Sequence, residues 1–118
     1  MPELIEQRHH PRIAFDRPVL LHSHATGNRL LRGRVRDLSA SGMLVEIADV
    51  RQLSISTEVR AAFKIGQGLG ILPSVVVRHQ DDQRLALCFT EPASEAWQMV
   101  ESILGRHALA KPIREQAN

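Results

Sequence analysis

The sequence predicts a mainly β fold, an antiparallel barrel or sandwich of about six short strands with a helix at its C-terminal end. Two observations carry this expectation. Runs of β-forming apolar residues recur with turn residues between them about every 8 to 15 positions. After Phe89 the apolar period changes from strand-like to helical. With 118 residues, 43% hydrophobic and 24% charged, the chain fits one globular domain with a modest core.

Residues 1–12 are polar, contain His9, His10 and Pro11, and show no burial pattern, so they read as a flexible arm. From Ile13 the chain turns β-like. Val19 to His22 and Leu30 to Arg36 form two strands, joined through the turn residues Thr26, Gly27 and Asn28. Met43 to Ile47 is the third strand, and Ala48 to Ser56 is a polar connection. Val59 to Phe63 is the fourth strand, and Gly66, Gly68 and Gly70 punctuate the turn that follows. Ile71-Leu72 and Val75 to His79 supply the fifth, and Leu85 to Phe89 the sixth, after a turn at Asp81-Asp82-Gln83. Trp97, Val100, Ile103 and Leu104 then fall on one helical face, with Pro92 and Ser94 as start signals and Gly105 as a stop. That helix is expected to cover an edge or mouth of the barrel. The domain is therefore drawn over residues 13–106, with 107–118 as a flexible tail.

Composition excludes several function classes. No apolar run reaches membrane-spanning length, and the N-terminus lacks the hydrophobic stretch of a signal peptide, so a cytoplasmic location without membrane insertion is expected. The single Cys88 lies in an alternating apolar run and reads as a buried, inert thiol. Net charge is only +2, and with three Phe, one Trp and no Tyr the chain is poor in base-stacking aromatics, which argues against nucleic-acid binding. His22 and His24 share a strand face, but no nearby Cys or carboxylate completes a metal site. The spaced glycines lack the Lys-Ser/Thr of a phosphate loop. No catalytic triad or carboxylate pair can be assembled, so the chain does not read as an enzyme.

Two motifs in fixed order carry the functional signal. Arg8-His9-His10-Pro11-Arg12 places two arginines four positions apart, and Asp37-Leu38-Ser39-Ala40-Ser41-Gly42 follows at the end of a strand. In an arginine-rich chain the first pattern alone says little, and Arg32 to Arg36 repeats it. The second is rarer, at about one chain in twenty for average composition. Chemically they fit a guanine nucleotide. Arginine forks onto guanine O6 and N7 or onto phosphate, and a carboxylate accepts from guanine N1–H and the exocyclic amine. Asp37 has that chemistry, the Ser39 hydroxyl can donate to a phosphate, and Gly42 permits a close approach. The bland alternatives are solvated arm charges and an ordinary Asx-type turn. Arg32, Arg34 and Arg36 alternate on one strand face, either as a solvated surface or as an electropositive approach to a ligand.

The order R-x-x-x-R then D-x-S-x-x-G closely resembles the PilZ domain, the bacterial receptor module for cyclic di-GMP, over roughly residues 8 to 104. The resemblance implies a six-stranded split barrel with a C-terminal helix. It also implies cyclic di-GMP as ligand, held by Arg8, Arg12, Asp37, Ser39 and Gly42, with Gln7, His9, His10, Arg36 and Ser41 as possible accessory residues. A stand-alone receptor of this kind signals through a protein partner, an effector in motility, biofilm or exopolysaccharide pathways, and is expected as a monomer or weak homodimer. Members with an extra arginine before R-x-x-x-R often bind two stacked ligands; here that position is Gln7, which favours one. A ligand-independent interaction module and a small-barrel RNA-binding protein are the alternatives.

Overall fold

Each apolar run has at least one face that must be hidden, and a closed sheet hides all of them together. The computed structural model describes residues 12–65, 68–91, 98 and 100–105. Its six strands are β1 (Ile13–His22), β2 (Leu30–Leu38), β3 (Gly42–Ile47), β4 (Glu58–Ile65), β5 (Gly68–His79) and β6 (Arg84–Phe89). They run in the closed order β1-β2-β3-β6-β5-β4, every pairing antiparallel. The expected strands are all present. No helix among the described residues is long and apolar enough to cross a membrane.

The β1–β2 connection follows from its residues. Ser23 caps a short 3-10 turn over His24–Thr26, its hydroxyl accepting from the Ala25 amide at 3.1 Å. Gly27 and Asn28 then both take φ near 66°, the left-handed region these residue types tolerate. The interior holds Val19 and Leu21 of β1, Val35 and Leu38 of β2, Val45 of β3, Phe63 of β4, Leu72 and Val76 of β5, and Leu85 and Leu87 of β6. Phe15 and Phe63 meet edge to face at 5.8 Å.

Three expectations need correction. The polar connection 48–56 is not a mere loop: Val50–Gln52 forms a 3-10 turn capped by Asp49, and Val50 and Leu53 are buried in the core. Full burial of a side chain of this size stabilises by about 1.5–3 kcal/mol. As expected, the two apolar pieces around Pro73 supply one strand, β5, twelve residues long. Gly68 and Gly70 belong to that strand rather than to a turn, with Gly70 opposite Phe63. Cys88 is half-buried rather than buried.

Residues 98 and 100–105 are helical, and Val100 is fully buried in the barrel core, with Ile103 and Leu104 partly buried against it. Trp97 and the start signals Pro92 and Ser94 lie outside the described residues, as do the arm 1–11 and the tail 107–118.

Candidate functional site

Asp37 reaches the surface because β2 is bulged. Val35 pairs with Val45 and Asp37 with Leu44, which leaves Arg36 as the extra residue. Strict alternation after Val35 would turn Asp37 inward and Leu38 outward. The bulge resets the phase, so Arg36 is exposed, Asp37 is half-buried and Leu38 goes fully into the core. On its other side Asp37 pairs with Ala14, two residues beyond Arg12. This pairing brings the first residue of the described chain to the carboxylate: Arg12 Nη1 stands 3.7 Å from Asp37 Oδ1.

That contact is an ion pair without a hydrogen bond. Asp37 Oδ1 is buried and has no hydrogen-bond partner among the described residues. A buried acceptor in this state costs free energy that a suitable donor would recover. The Arg12 side chain remains about half exposed, at 47%. A partly free guanidinium and an unsatisfied carboxylate oxygen therefore lie side by side.

The turn after Leu38 is built by Ser39. Its amide donates to the Gly42 carbonyl at 2.9 Å. Its hydroxyl oxygen lies 3.3 Å from the Ser41 and Gly42 amides, and also 3.3 Å from the Ser41 hydroxyl. At 5% exposure Ser39 is one of three buried polar residues among those described, and these contacts satisfy it within the turn. Gly42 opens β3, and a Cβ there would sit 2.0 Å from the Leu87 carbonyl oxygen on β6. Its lack of a side chain thus serves strand pairing directly, whatever else approaches it.

The arginine strip is largely neutralised. The Arg34 Nε donates to Asp16 Oδ1, and Arg36 bonds the same oxygen at 3.3 Å and Glu46 at 2.6 Å. Arg84 adds a looser contact to Glu46 at 3.9 Å. The Arg34 hydrogen bond, with Arg34, Arg36 and Arg17 as neighbouring charges, holds the Asp16 carboxyl below its usual range. The Glu46 hydrogen bond raises Arg36. Only Arg32 of the three lacks an ion pair among the described residues, so the strip is a solvated network with one unmatched cation. Asp16 and Glu46, which sequence patterning did not single out, determine this. Their signal was positional: Glu46 stands in the strand directly beside Arg34.

The structure thus brings Arg12, Asp37, Ser39, Ser41 and Gly42 into one neighbourhood, with Arg36 beside it on the bulge. Gln7, Arg8, His9 and His10 lie outside the described residues. His22 and His24 meet edge to face at 5.9 Å, and no third potential ligand joins them among the described residues.

A closed six-stranded antiparallel barrel of this topology defines the fold class, and the family follows from sequence. The chain belongs to the PilZ domain family, whose model matches residues 6–106. Solved structures agree in fold. The PilZ domain of YcgR from Escherichia coli, determined with cyclic di-GMP, superposes with a TM-score of 0.71 at 20% identity, covering 94% of this chain and 97% of that one. The PilZ domain of CeSA from a cellulose-synthesizing bacterium gives 0.65 at 22% identity, over 82% of this chain and 98% of that one. The Bacillus subtilis inhibitor of motility MotI gives 0.71 at 19% identity, with 86% of this chain covering 51% of that protein. No curated protein matches the chain in sequence.

Proposed function

We propose that this protein is a cyclic di-GMP receptor that binds the nucleotide between its N-terminal arm and the Asp37–Gly42 turn, and passes the signal to a protein partner. The observation that carries this reading is the buried Asp37 oxygen, without a hydrogen-bond donor among the described residues and 3.7 Å from a half-exposed arginine. Guanine N1–H and its exocyclic amine are the donors such a carboxylate lacks. Arg12 needs only a small rotation to leave a hydrogen-bond-free contact and fork onto guanine or phosphate, with Arg8 supplying the second fork. Membership of the PilZ family and the likeness to a cyclic di-GMP-bound domain support the same ligand.

The ligand acts as a bridge. It offers Arg8 and Arg12 strong partners on the barrel surface, which draws residues 1–12 down and changes the face shown to an effector. Neighbours named for motility inhibition and for a cellulose-synthesizing organism favour motility or exopolysaccharide outputs in a bacterial cytoplasm. The role is that of a receptor and adaptor, without turnover.

One calorimetric titration tests it, with cyclic di-GMP as ligand and GTP and a short RNA as controls. Saturable binding of cyclic di-GMP alone is expected. Heat only with RNA would favour the RNA-binding reading, and no heat with any of the three would leave a ligand-independent interaction module.

A further inference from the structure

The barrel is not fully zipped. β1 and β4 pair only at Leu20–Ala62, Leu21–Ala61 and His22–Arg60. Below that point β1 continues toward its start and β4 runs on to Ile65, and no strand pairs with either across this seam among the described residues. A groove of about 760 Å³ opens there, between the two strand edges and beside the start of β5. Its wall carries Leu20, 40% exposed, and Leu69, 64% exposed, together with Pro18. Ile71, 49% exposed, extends the apolar surface, since it stands opposite Ala62 in the next strand.

Arg17, Arg32 and Lys64 surround this floor. Arg32 and Lys64 have no ion pair among the described residues. The Arg17 guanidinium donates to the Asp16 backbone carbonyl and lies 5.0 Å from the Phe15 ring centre. Elsewhere on the same sheet Arg34, Arg36 and Arg84 pair with carboxylates. The groove lining thus holds three cations and no carboxylate beside its exposed leucines.

We infer that this seam is a docking groove for an extended segment of a partner protein in which bulky apolar side chains alternate with carboxylates. The apolar side chains cover Leu20 and Leu69, the carboxylates meet Arg17, Arg32 and Lys64, and the segment's backbone bonds the free strand edges. A second copy of this chain is disfavoured, because an isologous contact sets these cations against their own copies. Residues 106–118 are disfavoured too, carrying Arg106, Lys111 and Arg114 against Glu115. A lipid surface is flat and cannot bond strand edges inside a groove. The inference stands independently of nucleotide binding.

The test uses the full chain, labelled with nitrogen-15, and four fluorescein-labelled ten-residue peptides that alternate leucine or phenylalanine with glutamate or lysine. At least one glutamate peptide is expected to bind saturably and to shift the amides of Arg17, Leu20, Arg32, Lys64 and Leu69, while the lysine peptides do neither. Arg32→Glu combined with Lys64→Glu should weaken that binding by about tenfold or more. Leu69→Ser, which keeps every charge, should weaken it as well, and circular dichroism verifies both folds. Both variants should keep whatever cyclic di-GMP affinity the parent has, which separates this inference from the receptor reading. Several results would overturn it: no binding by either glutamate peptide, equal binding of the lysine peptides, or shifts on another face. So would displacement of the peptide by phosphatidylglycerol vesicles, which assigns the face to membrane. Binding seen only after deletion of residues 1–6 would assign the groove to the chain's own Glu3-Leu4-Ile5-Glu6 segment and overturn it too.

Discussion

A buried acceptor with no donor ordinarily costs about 1–3 kcal/mol, and Asp37 Oδ1 is in that state among the described residues. Removing it should therefore cost the fold little. Asp37→Ala is expected to change unfolding free energy by less than about 0.5 kcal/mol, as at an ordinary surface position. The same change should weaken cyclic di-GMP binding by about 1–3 kcal/mol, as should Arg8→Ala and Arg12→Ala. Urea unfolding beside calorimetry separates the two effects; wild-type affinity in both arginine variants would remove the site. Gly42 behaves in the opposite way. A methyl group placed 2.0 Å from the Leu87 carbonyl forces β3 and β6 apart, so Gly42→Ala should destabilise the ligand-free protein by about 1–3 kcal/mol or more. Unchanged urea stability in Gly42→Ala would show that the strands absorb the methyl group. These two residues stand five apart in one motif, yet one is matched to a missing donor and the other to a neighbouring strand.

At the scale of elements, the 48–56 segment was misread for a definite reason. Its two core residues, Val50 and Leu53, are spaced for a single 3-10 turn, too short to produce a visible helical period among Asp49, Arg51 and Gln52. Leu53→Ala is expected to cost about 2–5 kcal/mol, a core truncation rather than a loop change, measurable by chemical denaturation. The six strands were legible as runs of β-forming apolar residues between turn residues, although β3 and β6 are buried almost continuously rather than alternately. The bulges were not, since nothing in Val35-Arg36-Asp37-Leu38 announces that the phase slips at Arg36. That slip decides where the site's carboxylate points, so the motif could be named from sequence while its orientation could not. The arginine strip shows the same limit. Alternation placed all three side chains on one face, but only pairing across β1 and β3 shows that Asp16 and Glu46 neutralise two of them. Since Asp16 titrates below its usual 3.8 when folded, its ion pairs support the fold above that pH and are lost as pH falls through the depressed value. A carboxyl NMR titration should find its midpoint lower than 3.8, and Arg34→Gln should raise it. An unshifted midpoint would mean that the exposed pair is too loosely held to bias protonation.

For the whole molecule, the two ends of the proposed site differ in what fixes them. The Asp37–Gly42 turn is locked between β2, β3 and β6, whereas the arginine pair begins on the segment leading into β1, where Arg12 touches Asp37 by charge alone. Binding energy from two arginine forks is then available to hold the arm on the barrel, and amide exchange should show residues 1–12 more protected with cyclic di-GMP than without. Equal protection in both states would argue against arm closure. The number of ligands follows from the same arrangement. A second stacked molecule brings further guanines and phosphates, and these need cationic donors beyond Arg8 and Arg12. Gln7 offers no charge, and the nearest alternative, Arg36, is already bonded to Glu46 at 2.6 Å and to Asp16 at 3.3 Å. Recruiting Arg36 would break its bonds to two carboxylates, leaving Asp16 to Arg34 and Glu46 to the looser Arg84 contact. One cyclic di-GMP per domain is therefore expected, measured by titration against an independently determined active fraction. Gln7→Arg should move the ratio toward two by restoring a fork that requires no broken pair, and Glu46→Gln should move it the same way by freeing Arg36. A ratio near two in the unaltered protein would show that a second ligand competes successfully with Glu46 for that arginine.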